Sequence, residues 1–114
     1  MDGCLFCKIA RGEIPAQIVL KTETVTAFRD INPQAPVHVL VIPNQHVGSA
    51  AEMGPGNGAL LAALIVAANQ VAAQEGVADS GYRLVFNVGE DGGMTVSHLH
   101  LHVLGGRRMT WPPG

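Results

Sequence analysis

Charged residues are scarce in this sequence. Only 14% of its 114 residues are Asp, Glu, Lys or Arg, and the formal net charge is -2. Such a balance provides no basic field that would hold nucleic acid or an anionic membrane by bulk electrostatics. We therefore expect neither a nucleic acid nor a membrane as partner, and any phosphate group must be bound by local contacts.

Long hydrophobic runs are also lacking. The longest one, residues 59–68, ends at Asn69 and is shorter than a bilayer-spanning segment, and the N-terminal residues do not resemble a hydrophobic signal segment. The cytoplasm is therefore the expected compartment. The chain has only two cysteines, Cys4 and Cys7, which would stay reduced there as free, metal-bound or redox-active thiols.

Apolar residues are plentiful enough, at 47%, to build one core, and the length predicts a single domain over residues 1–114. Alternating or β-branched segments predict strands at residues 17–22, 24–30, 37–43, 82–88 and 97–105. An Ala- and Leu-rich segment from Gly58 to the glycine at position 76 predicts one long helix. The fold class is α+β, with an antiparallel five-stranded sheet and the helix packed on it.

Three of the five histidines occupy every second position of the last predicted strand, at His98, His100 and His102. Residues two apart point to the same face of a strand, so the three imidazoles form a row and Leu99 enters the core on the other side. The outer two lie roughly 13 Å apart, too far for all three to bind one ion easily. A solvated strand face and a metal shared by His98 and His100 are alternatives to a catalytic row.

A row of histidines of this kind can catalyse reactions at phosphorus. Neutral imidazole is a nucleophile near pH 7 when its other nitrogen is held as N–H, and neighbouring imidazoles can orient it or protonate a leaving group. The glycine-bearing loop at residues 89–95 precedes the strand, and its backbone N–H groups could approach an anion closely. A simple turn is the alternative reading of that loop.

The segment "HLHLHVLGG" resembles the signature of the histidine triad superfamily. The segments "FCKIARGEIPA", "AFRDINPQAPVHVLVIP", "FNVGEDGG" and "GGRRMTWPPG" resemble its nucleotide-binding, phosphoramidase branch. The resemblance implies a fold with an additional short N-terminal helix and a homodimer whose sheets join into one continuous ten-stranded sheet. It also implies binding of purine nucleoside monophosphates and hydrolysis of the P–N bond of their phosphoramidates through a nucleotidyl-histidine intermediate.

The resemblance also assigns roles by position. His100 matches the nucleophile, His102 the neighbour that contacts the phosphate and leaving group, His38 a supporting histidine on an adjacent strand, and His98 the first member of the triad. Asp30 matches an acid that bonds the ribose hydroxyls. The other substrate-binding matches are Phe6, Ile9, Phe28 and Ile31 around the base, Asn87 and Gly93 at ribose and phosphate, and Thr95 where a serine usually donates to phosphate.

The C-terminal segment carries Trp111 followed by two prolines, which preclude a regular helix or a central strand. We expect an extended tail anchored by Trp111. The resemblance implies that this tail lies on the partner subunit near its active site. A tail that extends into solvent is the alternative.

A structural zinc ion is the one cofactor expected, and no catalytic metal is required. Cys4 and Cys7 form a C-x-x-C pair, whose thiolates can meet at one metal. The resemblance to bacterial members that carry this pair implies that His46 and His98 complete the set. Two reduced cysteines and a surface histidine are the alternative.

Two classes of function follow from these observations. The first is an enzyme, a purine nucleoside phosphoramidase or related nucleotidyl hydrolase. The second is a nucleotide-binding regulatory module without significant turnover. A metal-dependent hydrolase that uses the histidine row as ligands is a third reading, which predicts loss of activity with a chelator.

Overall fold

A five-stranded antiparallel sheet, with one long helix on one face and one short helix on the other, forms the fold. The computed structural model describes residues 3–114. The helices are α1 (Leu5–Ala10) and α2 (Gly58–Gln74), and short 3-10 turns cover Ala50–Glu52 and Pro55–Asn57. The strands are β1 (Ile18–Lys21), β2 (Val25–Arg29), β3 (Val37–Pro43), β4 (Tyr82–Phe86) and β5 (Leu101–Gly105), in the spatial order β1-β2-β3-β5-β4.

The two faces of β3 bury different sets of side chains, as its alternation predicts. Val39 and Val41 pack with Leu64 of α2, whereas Leu40 and Ile42 pack with α1. The sheet therefore has a core beneath the long helix and a smaller apolar cluster beneath α1. That second cluster lies on the face that also carries the histidine row.

Helix α2 is rich in apolar residues because one of its sides packs on the sheet. By length and hydropathy alone, the segment Pro55–Gln74 is compatible with a membrane span, but that test is also passed by core helices. Leu64, Ala67, Ala68 and Val71 are buried against the sheet. Leu61 and Val66 remain exposed on the opposite side of the helix.

The last strand is shorter than the sequence predicts, because it begins at Leu101 instead of residue 97. The register of β3 with β5 pairs Val41 with Leu101, so continued pairing would place Pro43 opposite Leu99. Proline has no N–H to donate to a ladder. The Leu99 N–H instead donates to the carbonyl of Val47, at 2.6 Å, and the chain leaves the sheet there.

Candidate functional site

The side chains of Cys4 and Cys7 lie together at the start of α1. Cys4 is the N-cap residue, and its Sγ accepts a hydrogen bond from the backbone N–H of Cys7 at 3.4 Å. Residues three apart lie on the same face of a helix, so both sulfurs point in one direction. Burial, reinforced by the neighbouring Cys4, raises the pKa of the Cys7 thiol.

His46 and His98 meet these sulfurs, as the resemblance to bacterial family members implies. The Leu99 N–H bond to Val47 holds their two segments side by side. The Nδ1 atom of His98 lies 3.3 Å from Cys4 Sγ and 3.5 Å from Cys7 Sγ, and Nδ1 of His46 lies 3.3 Å from Cys7 Sγ. One ligand atom from each of the four residues falls within 4.8 Å of all the others.

This cluster fits a tetrahedral metal ion. Zn–S and Zn–N bonds of about 2.3 and 2.1 Å place sulfur and nitrogen ligands about 3.6 Å apart in a tetrahedron, close to the distances found. The Nε2 atom of His98 lies 3.0 Å from the carbonyl oxygen of Pro43. That acceptor fixes the proton on Nε2 and leaves the lone pair of Nδ1 directed at the cysteines, which is the usual support of a metal-binding histidine.

His100 is held in the form that a nucleophile requires. It is only 6% exposed and His98 is fully buried, which excludes the interpretation of the row as a solvated strand face. The Nδ1 atom of His100 lies 2.7 Å from the backbone oxygen of His98 and donates to it, so the lone pair is on Nε2. The ring of Phe6 packs edge-on against His100, with centroids 5.3 Å apart.

His38 and His102 form a second hydrogen-bonded pair. The backbone N–H of Gln34 donates to Nδ1 of His38 at 3.1 Å, so the neutral ring carries its proton on Nε2. That Nε2–H donates to Nδ1 of His102 at 2.9 Å, which leaves the proton of His102 on its own Nε2. Asp30 Oδ2 lies 3.5 Å from His38 Nε2.

Both imidazoles of this pair are neutral near pH 7 in the free protein. Burial is the main cause that lowers the pKa of His38, although Asp30 opposes it. The pKa of His102 is lowered to about 4, mainly by burial and also by the neighbouring imidazoles of His100 and His38, with Asp30 opposing the shift. His102 thus favours its uncharged form until an anion approaches.

An apolar cavity of about 400 Å³ opens beside the row. It joins residues from α1, the end of β2, β3 and the segment before β5. The sequence-predicted site residues that line it are Phe6, Ile9, Phe28, Asp30, Ile31, Thr95, His100 and His102. Ile31 lies at its rim and is fully exposed. Its size and lining suit a planar, apolar ring held near one carboxylate.

Three of the predicted substrate-binding residues lie outside this cavity. Asn87 lines a separate cavity and donates from its side chain to the carbonyl of Gly92 at 2.7 Å. The N–H of Gly93 donates to the carbonyl of Glu90, so the structure does not present this group to an anion. Trp111 is 83% exposed and lines neither cavity.

Three residues near the histidine row were not predicted from the sequence. Gln34 orients His38 through its backbone N–H, for which no side-chain pattern exists. Arg83 and Arg107 line the cavity that contains Asn87, together with His38 and His102. The alternation of β4 places Arg83 on one face, but only the register with β5 shows that this is the histidine face.

A row of oriented histidines on an antiparallel sheet, beside an apolar cavity, defines the class of protein. The chain belongs to the HIT domain family, whose model matches residues 11–109. An uncharacterized HIT-like protein of Synechococcus elongatus is 52% identical to it over 113 residues, which cover 99% of this chain and 98% of that protein.

Two further relatives carry a stated activity. The purine nucleoside phosphoramidase of Escherichia coli K12 is 47% identical over 106 residues, which cover 93% of this chain and 89% of that enzyme. The crystal structure of a HIT family hydrolase from Legionella pneumophila matches with a TM-score of 0.96 and 53% identity, and covers 98% of this chain and 100% of that one. These similarities support hydrolase activity.

Proposed function

We propose that this protein is a purine nucleoside phosphoramidase that hydrolyses a P–N bond through a nucleotidyl-His100 intermediate. The single observation that carries the proposal is the 2.7 Å bond from His100 Nδ1 to the backbone oxygen of His98. It leaves the Nε2 lone pair available beside the apolar cavity, where a nucleoside base would sit.

The reaction proceeds by two displacements at phosphorus. In the first, His100 Nε2 forms a bond to phosphorus while the P–N bond to the amine breaks. His102, protonated once the phosphoryl anion is bound, gives its proton to the departing nitrogen, which leaves as a neutral amine. In the second, water attacks phosphorus, the bond to His100 breaks with its electron pair returning to Nε2, and the proton of the water goes to His102.

The other residues of the site hold these groups in place. Gln34 and His38 fix the tautomer of His102, and Asp30 both contacts His38 and lies where ribose hydroxyls would bind. Phe6 and Phe28 form apolar walls for a purine. The oriented row also argues against a pure binding module, because retention of a nucleotide does not need a fixed nucleophile.

Zinc is the ion we propose for the cluster of Cys4, Cys7, His46 and His98. When bound, it would tie α1 to the segments around residues 46 and 98 and supply structural stability. His98 would then bind the metal through its side chain, and its backbone oxygen would orient the nucleophile His100. Because His98 and His100 have different partners, a catalytic metal shared between them is not part of the proposal.

We also propose a cytoplasmic homodimer. Strand β4 is an edge of the sheet, and an edge presents unpaired backbone groups to another strand. The exposed Leu61 and Val66 of α2 offer apolar surface to a second copy of the chain. Sedimentation equilibrium should give about twice the chain mass of 11.9 kDa, whereas a monomer would contradict the proposal.

The enzyme is tested with adenosine 5'-phosphoramidate, with and without chelator, followed by mass spectrometry of the protein. We expect release of AMP, and covalent nucleotide on His100 with a slow substrate. Activity should change little with chelator, because the chemical step uses imidazole. Binding of AMP without any turnover would favour the regulatory module instead.

A further inference from the structure

A second cavity, of about 290 Å³, also borders His102. Within residues 3–114, His102 alone lines both cavities, whereas His100 lines only the apolar one. If the nucleoside occupies the apolar cavity, the group attached beyond the phosphorus extends past His102. The second cavity is therefore positioned to receive the amine half of the substrate.

Two arginines give this second cavity its charge. Strand β4 pairs Arg83 with Leu104 and Val85 with His102, so Arg83 lies on the histidine face of the sheet. Arg107 follows β5 and also lines the cavity. Among the described residues, those that line the cavity include no carboxylate side chain, so none of them opposes the two positive charges.

Neither guanidinium is neutralised by an ion pair within residues 3–114. Arg83 donates from Nη2 to the carbonyl oxygen of Thr110 at 2.9 Å. Arg107 donates from Nε and Nη2 to the carbonyl oxygen of Gln34, at 3.2 and 3.0 Å. These contacts orient both groups but leave their full charge, and several N–H donors of Arg83, available for a ligand.

We propose that Arg83 and Arg107 are specificity-determining residues, which favour leaving amines that carry a carboxylate over amines of the same shape that lack the charge. The inference rests on the proposed function and names its leaving group. A guanidinium matches a carboxylate with paired N–H donors, which a neutral amide cannot exploit equally. The apolar and cationic cavities would then fix the direction in which the substrate binds.

The test compares two substrates that differ only in this charge. They are adenosine 5'-phosphoramidates of alanine and of alaninamide, and the readout is the ratio of their kcat/KM values in each protein. For the wild type we expect a ratio of about ten in favour of the carboxylate. In the double variant Arg83→Gln with Arg107→Gln, the ratio should fall to about one, and added salt should reduce the wild-type preference.

Because the ratio is taken within one protein, it cancels any general loss of fold or of nucleoside binding. Arg108→Gln is the matched control, since Arg108 lines neither of these two cavities, and it should keep the wild-type ratio. Arg107→Glu is the second variant: Arg107 is exposed, so its substitution leaves the core intact, and the ratio should fall below one.

The outcomes separate the two proposals. Equal hydrolysis of both substrates by the wild type would overturn the selection of carboxylates while leaving the phosphoramidase proposal in place. If the double variant keeps the preference for the carboxylate substrate, the two arginines do not select the leaving group, and their role is limited to anchoring the tail. If neither substrate is hydrolysed, the proposed function fails and this inference falls with it.

Discussion

The backbone oxygen of His98 accepts a hydrogen bond from Nδ1 of His100, while the imidazole of His98 lies between the two cysteine sulfurs. One residue thus belongs to two sites at once. Its side chain belongs to a cluster that could hold a metal ion, and its backbone fixes the tautomer of the proposed nucleophile. The position of His100 therefore depends on how well the segment around His98 is held.

Replacement of His100 by Ala should lower turnover of adenosine 5'-phosphoramidate by about three orders of magnitude or more, since the chemical step loses its nucleophile. Covalent nucleotide should disappear from the mass spectrum. AMP should still bind, as measured by calorimetry, because the apolar cavity is retained. Turnover near the wild-type rate in this variant would rule out the mechanism.

Protein purified without chelator should contain about one equivalent of zinc per chain, because four ligand atoms form a closed site. Elemental analysis measures this directly, and less than about half an equivalent would contradict the site. Chelation, or replacement of Cys7 by Ser, should lower Tm by about 5 °C or more. The loss in kcat should be smaller, because the metal does not contact the substrate.

Binding of AMP should raise the pKa of His102 above its value of about 4 in the free protein. Burial disfavours the charged imidazole, whereas a phosphate beside it favours that form, so the nucleotide shifts the pKa upward. Titration of the imidazole by NMR, with and without AMP, measures the shift. Adenosine is the control, because it fills the apolar cavity without the anion. An unchanged or lowered pKa with AMP would remove His102 from the role of acid.

Truncation after Gly106 should alter selectivity among leaving groups and leave the fold intact. The tail is exposed for most of its length, and its hydrogen bonds to the rest of the chain include those of Arg83 to Thr110 and of Arg107 to Gln34. Specificity constants for several leaving groups provide the readout, and circular dichroism controls for folding. Trp111→Ala tests the anchor alone. Identical constants across all substrates would place the tail outside the site.

The alternation of apolar and polar residues along the chain by itself determined much of this fold. It set the faces of β3 and the inward direction of Leu99, Leu101 and Val103, because a strand has a period of two. The glycine at position 76 likewise marked the end of α2. The row of histidines was predicted for the same reason, although only His102 of the three lies within β5, which begins at Leu101.

Only the tertiary structure decided what each imidazole touches. Cys4 and His98 are 94 positions apart, and only the resemblance had joined them at a metal. Pro43 ends the pairing of β5, and its carbonyl oxygen accepts a hydrogen bond from His98 Nε2–H, while the N–H of Gln34 sets the tautomer of His38. Such contacts depend on the register between distant strands and on backbone groups, which leave no periodic trace in a sequence. For the same reason, the cavity lined by Arg83 and Arg107 could not be predicted from the sequence.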